Sequence, residues 1–196
     1  MSGLKLRDKR LVLPVVLVAA VATTVLWSVL RTDPASQRMC WSLLSKNSAA
    51  QLRADGGSGL HAEEMSALPA AEGQLAHDGP ICLVSPEENS GVLLFGLGIR
   101  TALSDEPAPR DAAPIGGGLT GWVGPQWSWV RLPEKCSFPM GGGGAGVLLE
   151  LKIDPAAGPQ RAEAARTALL ESARNLTRTY RCTDSSFDHL PEGTRT

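Results

Sequence analysis

Residues 91–99 read GVLLFGLGI and residues 146–153 read GVLLELKI, two apolar runs with the length of a β-strand. A cysteine precedes each run at nearly the same distance, since Cys82 and Cys136 lie ten and eleven residues before the first valine of the run. This weak repeat, with a period of about 55 residues, predicts two related halves. Each half would contain a cysteine-bearing strand that turns back into an apolar strand, with a helix associated with it.

The sequence around these runs predicts further strands, one short helix and one long helix. Residues 81–84 and 92–101 flank a polar turn and are typical of a β-hairpin, as are residues 119–123 and 127–132 on either side of Gly-Pro-Gln. The remaining predictions are a strand at 147–153, a short helix at 41–54, an irregular stretch at 55–80 with a helical turn or two at 61–68, and a surface loop at 104–118 that joins the halves.

The C-terminal region, residues 159–181, predicts a long amphipathic helix. Its apolar residues recur at spacings of three and four, which places them on one helix face. We therefore expect an α+β fold in which this helix packs on one face of an antiparallel sheet of four or five strands. The spaced apolar residues are Ala162, Ala165, Leu169, Ala173, Leu176 and Tyr180.

The four cysteines all follow residue 31, which favours disulfide bonds in an oxidising compartment. A zinc site is the alternative, but the cysteines are far apart in sequence and the paired spacing of such sites is absent. The spans from Cys40 to Cys82 and from Cys136 to Cys182 are similar, at 42 and 46 residues. Sequential pairing is therefore the preferred one of the three possible connectivities.

Residues 11–30 contain no charged residue, and a helix of this length spans the hydrocarbon core of a membrane. The basic residues before it predict a cytoplasmic N-terminus. The predicted organisation is a cytoplasmic basic tail at 1–10, a transmembrane helix at 11–30 in contact with membrane lipid, a linker at 31–39 and an extracytoplasmic disulfide-bonded domain at 40–196. A cleaved signal peptide ending at Ala20-Val21-Ala22 and a buried core helix are the alternatives.

Charge argues against nucleic acid as a partner. Residues 32–196 carry 14 basic and 19 acidic side chains, and no cluster of lysine and arginine lies among them. A nucleic-acid-binding domain needs a basic face to neutralise phosphates. The predicted outer domain is instead mildly acidic.

The sequence motifs that might hold a cofactor or a metal are weak. Gly116-x-Gly118-x-x-Gly121 matches a dinucleotide fingerprint but follows a proline and opens a predicted strand, and HAEE at 61–64 is not the HExxH zinc motif. The acidic pairs Glu63-Glu64, Glu87-Glu88 and Asp105-Glu106 lie in predicted turns, where neighbouring acids rarely face one cleft. We predict no cofactor, no metal site and no catalytic residue.

Three tryptophans, Trp122, Trp127 and Trp129, lie on the second predicted hairpin. The simpler interpretation places them in the core beneath the long helix. They can also present flat apolar faces to a sugar or a peptide, which makes them a candidate binding surface.

The basic N-terminus, the single span, the four cysteines, WVRLPEKC at 129–136 and the helix ending in YRC at 180–182 resemble membrane-anchored exported proteins of actinobacteria. The resemblance covers most of the chain, and those proteins have no established activity to transfer. We expect a noncatalytic module that binds a protein, peptide or glycan of the cell envelope. The alternative is an extracytoplasmic hydrolase whose catalytic residues the sequence does not identify.

Overall fold

The computed structural model describes residues 37–53, 57, 59–69, 75, 79–86, 91–103, 106–142, 144–155 and 162–188. The chain divides into two compact units, Met1–Gln37 and Arg38–Thr196. The predicted transmembrane segment at 11–30 lies outside the described residues, as do the basic tail and most of the linker. Within the described part of the chain, no helix is long and apolar enough to cross a membrane.

The second unit is a mixed α/β domain built around an antiparallel sheet. A short 3-10 helix, Glu134–Cys136, joins the last two strands. In chain order the elements are β1 Arg38–Met39, β2 Leu44–Ser45, α1 Lys46–Gln51, β3 His61–Glu64, β4 Ile81–Ser85, β5 Phe95–Thr101, β6 Ala113–Pro114, β7 Gly121–Val123, β8 Trp127–Arg131, β9 Val147–Ile153, α2 Ala162–Thr179 and α3 Ser185–Asp188.

Seven strands form one sheet in the order β3-β4-β5-β9-β8-β7-β6, and all neighbours are antiparallel. Two sequential meanders, β3 to β5 and β6 to β9, therefore meet where β5 pairs with β9. This central pairing runs over seven residues of each strand, from Phe95 opposite Ile153 to Thr101 opposite Val147. The two runs that the repeat singled out are the central strands of the sheet.

One face of the sheet is covered by α2, as predicted. Successive residues of a strand point to opposite faces, and alternate residues of β9, from Val147 to Ile153, are buried in one cluster with the apolar stripe of the helix. Ala165, Leu169 and Leu176 of that stripe are fully buried. Burial of this stripe against the sheet stabilises the fold by about 25 cal/mol for each Å² of apolar surface removed from water.

The domain has the two predicted disulfides. Cys40–Cys82 ties the β1-β2 hairpin to β4, and Cys136–Cys182 ties the 3-10 helix to the segment after α2. Each bridge closes a loop of more than 40 residues, which removes about 4 kcal/mol of unfolded-state entropy on the chain-entropy model. No free cysteine occurs among residues 37–188 as described.

Several local predictions were wrong. The sheet has seven strands rather than four or five, and Cys136 lies in a 3-10 helix rather than in a strand. Residues 61–64 form β3, not a helical turn, because all four pair with residues of β4. The predicted helix at 41–54 is shorter, since residues 38–45 form a hairpin and α1 begins only after Ser45, whose hydroxyl accepts from the Ser48 amide as an N-cap.

Candidate functional site

The face of the sheet opposite α2, the outer face, carries the polar and aromatic residues of the central strands. In β9 the residues that alternate with the core positions are Leu148, Glu150 and Lys152. Their partners in β8 place Trp129 opposite Glu150 and Trp127 opposite Lys152. Aromatic and charged side chains are therefore interleaved on the outer face.

The tryptophans do not fill the core beneath the helix, so the simpler interpretation was wrong. Trp129 is buried in a separate cluster with Ala102 and Leu148, and Trp122 and Trp127 pack against that cluster. Outer-face position follows from alternation, because Ser128 and Val130 occupy the helix side of β8. Trp129 is 2% exposed, whereas Trp122 and Trp127 are half-buried.

Trp129 is buried and bonded to Pro107, whereas Trp127 lines a cleft. The Trp129 indole N–H donates to the carbonyl of Pro107 at 3.1 Å. The guanidinium of Arg131 donates to the carbonyl of Leu103 at 3.0 Å. Of the three tryptophans of the candidate binding surface, only Trp127 lines this cleft.

An ion-pair network occupies the middle of the outer face. The Nε of Arg100 donates to Oε2 of Glu150 at 3.1 Å, and its Nη2 binds Oε1 of Glu106. Lys152 Nζ lies 2.9 Å from Oε1 of Glu150, and the Trp127 indole N–H donates to Oε2 of Glu150 at 3.2 Å. Glu150, whose side chain is only 7% exposed, is thus held by two hydrogen bonds and one ion pair, from residues of three strands.

A glycine makes room for this buried carboxylate. Gly98 of β5 lies directly opposite Glu150 in the register, and a Cβ at Gly98 would meet Cγ and Oε1 of Glu150 at 3.3 Å. Glycine inside a strand often marks such a close approach. The glutamate can therefore lie across β5 and reach Arg100.

Burial and pairing act in opposite directions on the carboxyl group of Glu106. Burial alone raises its pKa, but hydrogen bonds from the Arg100 guanidinium and the Leu103 amide outweigh it, so the pKa of Glu106 lies below its usual value. The same Glu106 hydrogen bond raises the pKa of Arg100, in spite of burial. Both groups are therefore charged at neutral pH.

A cleft of about 330 Å³ opens beside this network. Its walls come from β4 and β5 of the first meander and from β8 and β9 of the second. The volume is at the lower end of the range for small-molecule sites. The lining residues are Gly79, Ile81, Gly98, Ile99, Arg100, Trp127, Glu150 and Lys152.

The other motifs do not converge on this cleft. Gly116 and Gly118 have positive φ values in the turn between β6 and β7, so the glycine motif forms a turn rather than a dinucleotide loop. Glu63 and Glu64 point to opposite faces of β3, and Glu64 accepts from the Trp41 amide. The described residues contain no cluster of three metal-ligating side chains. Glu87, Glu88 and Asp105 lie outside those residues.

Sequence reasoning missed Arg100, Glu106, Glu150 and Lys152 as members of one network. A signal for Glu150 existed, because it is a lone acid between Leu149 and Leu151 in a predicted strand. Gly96-x-Gly98 in the other apolar run was a second signal for a close approach at that strand. The pairing of the two runs would have connected these signals.

No protein-family model matches the chain, and neither a curated protein nor a solved structure shows significant similarity to it.

Proposed function

We propose that this chain is a noncatalytic binding module of the cell envelope, held at the outer face of the membrane by residues 11–30. Its ligand is a protein, peptide or glycan of the envelope, and its ligand site is the outer-face cleft. The observation that carries the proposal is the position of Trp127 beside a preformed network of paired charges. Binding sites typically combine such an apolar wall with a few fixed polar groups.

The compartment is supported by the two disulfides, which are characteristic of domains outside the cytoplasm. They join β4 to the β1-β2 hairpin and the segment after α2 to the 3-10 helix. A domain stabilised in this way is suited to an oxidising environment.

A binding role is supported over hydrolysis by the state of the carboxylates. A general acid needs a pKa raised towards the working pH, whereas the pKa of Glu106 is lowered by Arg100. Glu150 already accepts hydrogen bonds from Arg100 and Trp127 and forms an ion pair with Lys152, which fixes its orientation. The two carboxylates therefore hold the cations of the outer face in a fixed arrangement.

Lysine footprinting on the full-length protein in nanodiscs tests this proposal. The probe is the isolated insoluble envelope fraction, and the readout is acetylation of each lysine with and without it. Lys152 is 64% exposed at the cleft, whereas Lys46 and Lys135 are exposed elsewhere and serve as internal controls. We expect protection of Lys152 by at least about tenfold, as for a bound fraction of about 90%. Equal labelling of all three lysines would rule out the cleft as a ligand site.

A further inference from the structure

We infer that the ligand of the outer-face cleft is a saccharide without net charge. This inference rests on the function proposed above and names the ligand class of the same site. It follows from the charge balance of the cleft, the supply of free donors and acceptors, and the position of the cleft on the face of the sheet.

The charges at the cleft cancel. Among the described residues that line it, the charged ones are Arg100, Lys152 and Glu150, and Glu106 lies behind them in contact with Arg100. Two cations thus face two carboxylates. An anionic ligand would lie against Glu150, and a cationic ligand would meet Arg100 and Lys152, so neither gains from the local charge.

The network still offers hydrogen bonds to a neutral polar ligand. The Glu150 carboxylate has about four acceptor sites, of which the N–H groups of Arg100 and Trp127 occupy two, both at Oε2, while Lys152 forms an ion pair at Oε1. The Lys152 ammonium has three N–H donors and makes one described contact, to Glu150. A donor and an acceptor therefore lie side by side, which suits neighbouring hydroxyl groups that both donate and accept.

Trp127 supplies the apolar part of the contact. Its indole N–H is fixed by Glu150, so the ring is held in one orientation without the entropic cost of ordering it on binding. A fixed indole presents a flat apolar surface to the C–H face of a sugar ring. Ile81, which is 38% exposed, lines the same cleft from β4.

The position of the cleft disfavours an extended peptide. Peptides commonly bind as an added strand at a free sheet edge, where their backbone groups find partners. The cleft instead lies over β5 and β9, each paired on both sides, so the backbone there has no free ladder to offer. Recognition must then come from side chains on the face.

Binding to defined oligosaccharides tests the inference directly. The full-length protein in nanodiscs would be applied to an array of neutral, anionic and cationic glycans, and its affinities measured by tryptophan fluorescence. A matched pair is the tetramer of β-1,4-linked N-acetylglucosamine and its deacetylated, cationic form. We expect at least one neutral glycan to bind, and its charged counterpart of equal length to bind at least about tenfold more weakly.

Variants locate the binding within the cleft. Trp127→Ala should weaken binding of the neutral glycan by about tenfold, while Trp127→Phe should stay within about threefold because a flat ring remains. Trp122→Phe is the matched control, since Trp122 lies on the same face outside the cleft lining. Lys152→Met, at a largely exposed position, provides a second variant if Trp127→Ala lowers the melting temperature.

The outcomes separate this inference from the proposal on which it rests. Protection of Lys152 that survives glycosidase digestion of the envelope fraction but is lost after protease digestion would mean a peptide or protein ligand. Exclusive binding of charged glycans, or binding unaffected by both Trp127→Ala and Lys152→Met, would also overturn the saccharide assignment. Absence of any Lys152 protection by the envelope fraction would rule out the cleft as a ligand site and so refute the function proposed above.

Discussion

At Gly121 the backbones of β7 and β8 approach too closely for any side chain. A Cβ at this position would lie 2.4 Å from the carbonyl oxygen of Trp129 and 2.9 Å from Cα of Val130. We expect Gly121→Ala to separate these strands and to reduce the free energy of unfolding by about 1–3 kcal/mol. Urea unfolding of the wild type and of Gly121→Ala would measure this change in the free energy of unfolding.

The control is Gly144→Ala, because a Cβ at Gly144 meets nothing within 4 Å. That variant should change the free energy of unfolding by less than about 0.5 kcal/mol. Equal urea midpoints for the two alanine variants would contradict the close approach of β7 and β8.

The carboxylate of Glu106 should stabilise the fold by an amount that depends on pH. Its side chain is 2% exposed, and Glu106→Gln should cost about 1–3 kcal/mol at neutral pH because Arg100 loses a charged partner. Since the folded pKa of Glu106 lies below its usual value, this stabilisation is fully present above the usual pKa and is lost as the pH falls through the folded pKa.

Thermal melts from pH 7 down to pH 3 would measure this effect. The difference between wild type and Glu106→Gln should stay constant above about pH 5 and narrow below it. Glu163→Gln serves as a control, because Glu163 is exposed on α2 and its contact with Arg166 is a surface ion pair. A gap that widened on acidification would show that the pKa of Glu106 is raised.

Among the elements, those with a clear hydrophobic pattern were predictable. The strand at 147–153 has the predicted bounds, and the helix predicted at 159–181 is described at Ala162–Thr179. His61–Glu64 was not predictable, because HAEE contains good helix formers and no strand pattern. It becomes a strand through pairing with β4, a tertiary contact that local propensity does not contain.

The helix α2 should be sensitive to charge on its buried stripe. Leu169 is fully buried against the sheet, so Leu169→Asp should reduce the free energy of unfolding by several kcal/mol, through lost burial and an unpaired carboxylate. Arg178→Ala, on the exposed side, should cost less than about 1 kcal/mol. Thermal melts of the full-length protein would compare the two. A Leu169→Asp melt at the wild-type temperature would show that α2 does not cover the sheet.

For the whole molecule, the predicted topology has a direct test. A reporter enzyme that works only outside the cytoplasm should be active when it is fused after Thr196. The fusion should also remain with membranes, because residues 11–30 are uncharged and follow a basic flank. A fusion with residues 1–30 removed is the control and should lose membrane association. Recovery of a soluble mature form beginning after Ala22 would instead support a cleaved signal peptide.

The fold class and the disulfide pairing could be predicted at this scale, whereas the candidate site could not. Hydrophobic periodicity and cysteine spacing are local properties of the sequence. The network instead combines Arg100 with Glu150, fifty residues later, and it depends on the register of β5 with β9. Which residues face one another across a sheet is set by that register, which no single strand encodes.

The Cys40–Cys82 bridge also determines how the domain would respond to tension applied through its N-terminus. A pull on Arg38 reaches Cys40 after two residues and passes through the covalent bridge into β4, which is hydrogen-bonded on both sides. The intervening chain, with α1 and β3, is bypassed and carries no force while the bridge is intact. In a stretching experiment the oxidised domain should therefore lengthen by less than the reduced one, by the contour of that loop, about 3.3–3.6 Å for each residue in it. A domain pulled through its N-terminus would therefore keep this part of its fold for as long as the bridge stays oxidised.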